Sequence, residues 1–191
     1  MNIFLKINHY ISENLNNFVL HNHLENFISK SADLPIFFLP IFLITAWLFW
    51  TYKFKNNQEK EKLLNIFWWV VLAIITNLII QHFFFFERPE TLITPILKHI
   101  PDASFPSDHA AVSFAFLTWL FLAWYKKIWY IFTPFVIIMN ISRIAGGVHW
   151  FFDIIAGMII WIISSIIIFK NNNKLKKLNK LIINLMNYIK L

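Results

Sequence analysis

Residues 141–157 read ISRIAGGVHWFFDIIAG, which sets Ser142, Arg143, His149 and Asp153 among apolar and aromatic neighbours and adds the pair Gly146 and Gly147. Composition explains the surroundings. Of 191 residues, 58% are hydrophobic, 19% aromatic and only 14% charged, far from the balance of a soluble globular domain. The fold class is therefore all-α, an integral membrane helical bundle. Cysteine is absent, so neither a disulfide framework nor a thiolate metal site enters the reading. The net charge of +7 comes from lysines at the ends of apolar runs, not from a basic patch with interleaved aromatics. It reports membrane topology and argues against nucleic acid as a partner.

A helical span needs about 20 apolar residues, and five stretches approach that length: Leu34–Tyr52, Leu63–Phe84, His109–Tyr125, Ile128–Ile144 and Trp150–Phe169. Lys126 and Lys127 alone separate the third from the fourth, which predicts a tight helical hairpin. Trp47, Trp50, Tyr52, Trp124, Tyr125, Trp129 and Tyr130 lie near span ends, as interfacial aromatics do. One domain over residues 1–191 accounts for the chain: an amphipathic N-terminal segment (1–33), a transmembrane core (34–169) and a basic amphipathic tail (170–191), with about five to six transmembrane helices in all. The N-terminal segment has no unbroken apolar core and no small-residue cleavage site, so it reads as a retained interfacial helix.

Lysines 53, 55, 60 and 62, then 126 and 127, then 170, 174, 176, 177 and 180 share one side of the five-span arrangement. The bias of positive residues toward the cytoplasm puts that side, with the C-terminal tail, inside and the N-terminus outside. Three polar islands then fall together on the outer side: QHFFFFERPE (81–90), DASFPSDHA (102–110) and SRIAGGVHWFFD (142–153). Ionisable groups at membrane depth are costly and face cavities where they pair with each other or with substrate.

Each island has an ordinary structural reading: Arg88 as a snorkelling interfacial cation, Ser107 or Asp108 as a helix N-cap, Gly146 and Gly147 as turn residues, His149 as a structural histidine. Taken jointly they suggest more. His149 and Asp153 stand four apart, which on a helix lets the carboxylate fix the imidazole tautomer and leave the other nitrogen as a nucleophile or base. Two arginines, a helix N-terminus and His109 supply what a tetrahedral oxyanion needs. These parts together describe phosphoryl transfer.

At these residues the chain resembles the type 2 phosphatidic acid phosphatase family of membrane lipid phosphatases. That family's signature is a Lys followed after six residues by Arg-Pro, then Pro-Ser-Gly-His, then Ser-Arg followed after five residues by His and after three more by Asp. Here Arg88-Pro89 ends the first part, Pro106-Ser107-Asp108-His109 gives the second with one change, and Ser142-Arg143, His149 and Asp153 give the third at full spacing. Gln81 replaces the lysine, with Lys98 or His82 as candidate substitutes, and Asp108 replaces the glycine. The PSDH form is similar to the bacitracin-resistance branch, whose members dephosphorylate undecaprenyl diphosphate.

The resemblance implies roles residue by residue. His149, oriented by Asp153, attacks phosphorus to form a phosphohistidine, and His109 protonates the leaving lipid phosphate and then activates water. Arg88, Arg143, Ser107, Asp108 and backbone N–H groups around Ser107–His109 and Gly146–Gly147 surround the substrate phosphates. No metal and no cofactor is implied, and Glu87, Glu90, Asp102 and Asp108 lack ligand spacing. The implied partners are a polyprenyl diphosphate and the bilayer, at the outer face of a bacterial cytoplasmic membrane. Rival readings are a phosphatase for phosphatidylglycerol phosphate, phosphatidate or a lipid A phosphate, a vanadate haloperoxidase pocket, and a lipid-phosphate binding or transport protein. A permease has no use for a paired His and Asp, and no inverted repeat is visible. The orientation gives the first expected outcome: a C-terminal tag is labelled only after permeabilisation, and labelling in intact cells would reverse the topology.

Overall fold

The computed structural model describes residues 3–54, 56–98, 102–123, 125–170, 173 and 175–189. Lys55, Trp124 and Lys174 of the topological pattern lie outside the described residues. Eight α-helices follow in chain order: α1 (Ile3–His21), α2 (Glu25–Ser31), α3 (Leu34–Phe49), α4 (Asn57–Phe83), α5 (Asp108–Leu122), α6 (Lys126–Ala145), α7 (Phe151–Lys170) and α8 (Lys176–Tyr188). The described residues contain no strand, so the fold is the expected all-α membrane bundle.

Local chemistry sets the helix starts. The Asn56 side chain accepts from the N–H groups of Gln58 and Glu59, which starts α4 well before the apolar run at Leu63. Ser107 accepts from the Ala110 N–H and starts α5 in the same way. Four stretches, Glu25–Lys53, Asn57–Phe83, Lys126–Ala145 and Phe151–Lys170, are long and apolar enough to cross a bilayer, and the protein is a multi-pass membrane protein. The full third span expected over His109–Tyr125 is instead the 15-residue α5. At 1.5 Å per residue it rises about 22 Å, short of a hydrocarbon core of about 30 Å. It starts where the apolar run does and stops at Leu122, three residues before Tyr125, and at its start Ser107, Ala110 and Ala111 are completely buried.

Helix α5 is the hub, packed against α4, α6 and α7. Small residues allow the close approach to α7, where a Cβ added at Gly157 would lie 3.0 Å from the Ala110 Cβ and 3.1 Å from the Ser107 carbonyl. Around this contact Ile66, Trp69, Ala115, Trp119, Leu120 and Trp161 form the buried core. Helix α4 links the two ends of the bundle. Near its start, the Trp68 indole and Asn65 are joined through Asn179 of α8, at 2.9 and 2.7 Å. Near its finish, Asn77 donates to the Pro106 carbonyl at 3.0 Å. The lysine-rich joints share the first end, where Lys60 lies over the Trp47 ring and Lys62 over the Tyr125 ring. All three polar islands share the second.

The amphipathic α1 corrects the expectation in one respect. Its buried face is mostly polar: Asn8, Ser12 and Asn16, four residues apart, turn inward along with Val19, while Ile3, Phe4, Ile7, Tyr10 and Phe18 turn away from the protein. Asn16 donates to the carbonyls of Thr94 (2.9 Å) and Ala145 (2.8 Å). Ser12 accepts from the Phe151 N–H at 3.3 Å and Asn8 from the Phe152 N–H at 2.9 Å. The helix therefore grips the ends of α6 and α7 instead of resting on them. Asn16→Ala is expected to cost about 1–3 kcal/mol, because two carbonyls lose their donor in a dry setting. Thermal unfolding in detergent checks this, and an unchanged midpoint would refute the latch.

Candidate active site

The turn between α6 and α7 is made by glycine. Gly147 has φ +82°, and a Cβ at Gly146 would run into the Leu97 side chain and the Ser142 carbonyl. The N–H groups of Gly146 and Gly147 donate to the carbonyls of Ser142 (2.8 Å) and Ile144 (3.1 Å), closing α6. The Gly146 carbonyl accepts from the N–H groups of Ile96 and Leu97. Gly147 was expected to offer its N–H to phosphate, but the structure spends that donor on the turn itself.

His149 lies in this turn, ahead of α7, so the helical spacing used to pair it with Asp153 does not apply. Its Nδ1 is 2.9 Å from the Ser104 carbonyl and 3.9 Å from the Asp153 carboxylate. A carbonyl can only accept, so Nδ1 carries the proton and Nε2 keeps its lone pair. Asp153 acts one step back. As the third residue of α7 it accepts from the Trp150 N–H at 2.8 Å, reaching back across the helix start, and it also accepts from the Ser104 hydroxyl. The carboxylate holds Ser104, and Ser104 holds the imidazole. Burial first, and then the charges of Arg143 and Arg88 with His109 beyond them, hold the His149 pKa well below its ordinary value of 6.5.

Arg88 is buried and donates to the Asp102 carboxylate (Nε at 2.9 Å), the Ala103 carbonyl (3.2 Å) and the Val148 carbonyl. It ties the second polar island to the third. Arg143, also buried, donates through Nη1 to Asp33 at 2.7 Å, while its Nε–H is buried with no partner among the described residues. Ser142 exchanges a 2.7 Å hydrogen bond with Ser31. The Nε2 of His109 lies 3.1 Å from the same Asp33 oxygen. The Ser107 N–H approaches the Asp153 carbonyl at 3.4 Å, which docks the start of α5 on α7.

Asp108 turns toward α4, where Asn77 donates to it and Gln81 approaches at 3.3 Å. Gln81 also donates to the Pro106 carbonyl at 3.2 Å. The two positions that depart from the family signature thus touch each other. Lys98 and His82, the candidate replacements for the lysine, are both exposed. Beside Arg88 and Asp153 lies a cavity of about 400 Å³, walled by Phe4, His9, Phe105 and Trp150. His9 of α1 stacks on Trp150 at 4.5 Å. Sequence reasoning missed Asp33, Ser104 and Asp102. Ser104 and Asp102 stood inside a quoted island, whereas Asp33 carried only its position at the entry to the first span.

A helical membrane protein that buries two arginines and a histidine at one end, with a second, partly buried histidine beside them, has the architecture of a membrane lipid phosphatase. The chain belongs to the PAP2 superfamily, whose model matches residues 62–177. A bacitracin transport permease protein, BcrC from Bacillus licheniformis, is 28% identical over 90 residues, which is 47% of this chain and 44% of that protein. The crystal structure of Aquifex aeolicus LpxE superposes with a TM-score of 0.68 and 26% identity, covering 86% of this chain and 95% of that one. A PAP2-type phosphatidylglycerolphosphate phosphatase from Bacillus subtilis gives 0.69 and 22%, covering 91% and 88%. The likeness to the second is one of fold.

The site makes a measurable claim about His149. A depressed pKa keeps the ring neutral below pH 6.5, and its proton arrives only on further acidification. Nitrogen NMR of the labelled protein should show a neutral, Nδ1-protonated ring at pH 6.5; an imidazolium there would contradict this environment.

Proposed function

We propose that the protein removes the terminal phosphate of a polyprenyl diphosphate, converting undecaprenyl diphosphate to undecaprenyl phosphate and inorganic phosphate at the outer face of a bacterial cytoplasmic membrane. The observation that carries this reading is the buried Arg143 Nε–H with no partner among the described residues, beside histidines prepared for proton and phosphoryl transfer. A buried guanidinium donor left unpaired is costly unless an anion completes it. The PSDH motif and the partial likeness to BcrC support the choice of lipid.

The steps balance as follows. The His149 Nε2 lone pair attacks the terminal phosphorus, and the bond to the bridging oxygen breaks as His109 gives that oxygen its proton. Water then attacks the phosphohistidine, His109 takes the water's proton, and phosphate leaves with His149 restored. Arg143, Arg88, Ser107 and the N-terminus of α5 surround the oxygens on which charge grows. Asp153 acts through Ser104 to hold the attacking ring. Asp108 shapes the start of α5, and Gly147 the turn that carries His149.

A second reading within the family is a phosphomonoester lipid such as phosphatidylglycerol phosphate, phosphatidate or a lipid A phosphate. The firm hold on His109 favours it, since an alkoxide leaves less readily than a phosphate and gains more from a positioned acid. Purified protein offered a panel of lipid phosphates and diphosphates, with released phosphate measured, separates the two. His149→Ala and His109→Ala are each expected to lower turnover at least about 100-fold while the protein stays folded. Wild-type turnover in either would overturn the role assignment.

A further inference from the structure

Asp33 lies outside the matched family segment, at the joint between α2 and α3, yet its carboxylate meets two residues of the family's motifs. A single oxygen stands 3.1 Å from the His109 Nε2 and 2.7 Å from the Arg143 Nη1. Sequence position makes Asp33 the N-cap of α3, where an aspartate ordinarily accepts an N–H of its own helix. No such cap bond forms here. The side chain has been turned away from its local role toward partners 76 and 110 residues distant in sequence (109 − 33 and 143 − 33).

The joint that holds Asp33 is itself fastened to the site. Two residues earlier, the Ser31 hydroxyl bonds the Ser142 hydroxyl at 2.7 Å, next to Arg143. Ala32 is completely buried against Leu97 and Val148. Asp33 therefore has little freedom to drift, although its side chain is about half exposed toward the open end of the site. An ionised carboxylate accepts and cannot donate, so the Nε2 that it faces carries a proton. His109 is the acid assigned to the leaving group, so this contact fixes the ring that must act, and Arg143 is clamped beside it through the same oxygen.

We propose that Asp33 is the positioning residue of the leaving-group acid: it keeps the proton on the His109 Nε2, fixes the ring plane and sets Arg143 alongside. The N-terminal segment thereby supplies a working part of the site in addition to a scaffold. Asp33 acts on bond breaking through His109, and through Arg143 on the oxygens where charge grows in the transition state, so its loss falls on kcat more than on KM. An alternative use of the same geometry is a plug, in which the carboxylate fills the anion position until substrate displaces it. The two make opposite predictions on removal of the charge.

The inference rests on the phosphatase reading, and the experiment separates their failures. Full-length protein in detergent is assayed on undecaprenyl diphosphate as wild type, Asp33→Asn, His109→Ala and the double variant. Asp33→Asn should lower kcat about 10- to 100-fold with KM within about threefold. In the His109→Ala background the same change should lower kcat less than about threefold, because the residue it serves is gone. Asp33→Glu should recover part of the loss, and it provides the KM-against-kcat comparison if the asparagine variant does not fold. Equal losses in both backgrounds would overturn the proposal, as would tighter inhibition by inorganic phosphate with kcat kept, the mark of a plug. Wild-type protein that releases no phosphate from this lipid or from any member of the lipid phosphate panel would instead sink the phosphatase reading.

Discussion

A polar group inside a bilayer has no water to turn to, and this constraint orders the molecule. Each costly group must find a partner in the protein, so polar faces turn inward and apolar faces outward. Helix α1 obeys this with Asn8, Ser12 and Asn16 inside and its phenylalanines outside. Helix α8 obeys it at the other end, burying Asn179 against Asn65 and Trp68 while Leu181 and Leu185 stay exposed. Amphipathicity here fastens helices to the bundle by their polar sides, the reverse of a soluble core.

The same constraint builds the site. No member of it stands alone: Asp153 holds Ser104, Ser104 holds His149, Asp33 holds His109 and Arg143, and Arg88 joins Asp102 to Val148. Low dielectric strengthens such a network and raises the cost of any member left bare. The bare members are therefore informative. The Arg143 Nε–H has no partner among the described residues, and in the buried His149 the Nε2 keeps its lone pair because Nδ1 holds the proton. In the proposed mechanism these are the donor and the nucleophile that meet the phosphate.

Much of this was legible in the chain, for stated physical reasons. Apolar run length marks spans, and α3, α4, α6 and α7 fall where the runs predict. Lysine placement sorted the loops to two ends, and the three polar islands do share one end. Other features were hidden because they depend on contacts across the sequence. Helix α5 begins where its apolar run does and ends three residues sooner, at Leu122. The His149 and Asp153 pair was spaced as helical neighbours, but a turn begins at Gly146 and the serine between them supplies the link. Asp33 has no motif around it, and only tertiary packing brings it to His109.

The departures at Gln81 and Asp108 look like two separate losses when read against the family signature. Exchanging a lysine for glutamine removes one positive charge, and exchanging a glycine for aspartate adds one negative, so the start of α5 is two units less positive. In the fold they form one arrangement. Gln81 and Asn77, one turn apart on α4, face the Asp108 carboxylate and donate to the Pro106 carbonyl. A carboxylate in the first turn of a helix also meets the positive end of that helix. The added charge is thus met by amide donors and a helix N-terminus. A lysine at position 81 would pair with Asp108 and lose its freedom to meet a phosphate. Once aspartate occupies the glycine position, a neutral donor at 81 keeps the carboxylate hydrogen-bonded without tying up a cation. In the proposed mechanism the anion is met by Arg143, Arg88 and the start of α5. Gln81 and Asp108 thus form one hydrogen-bonded arrangement at the start of α5.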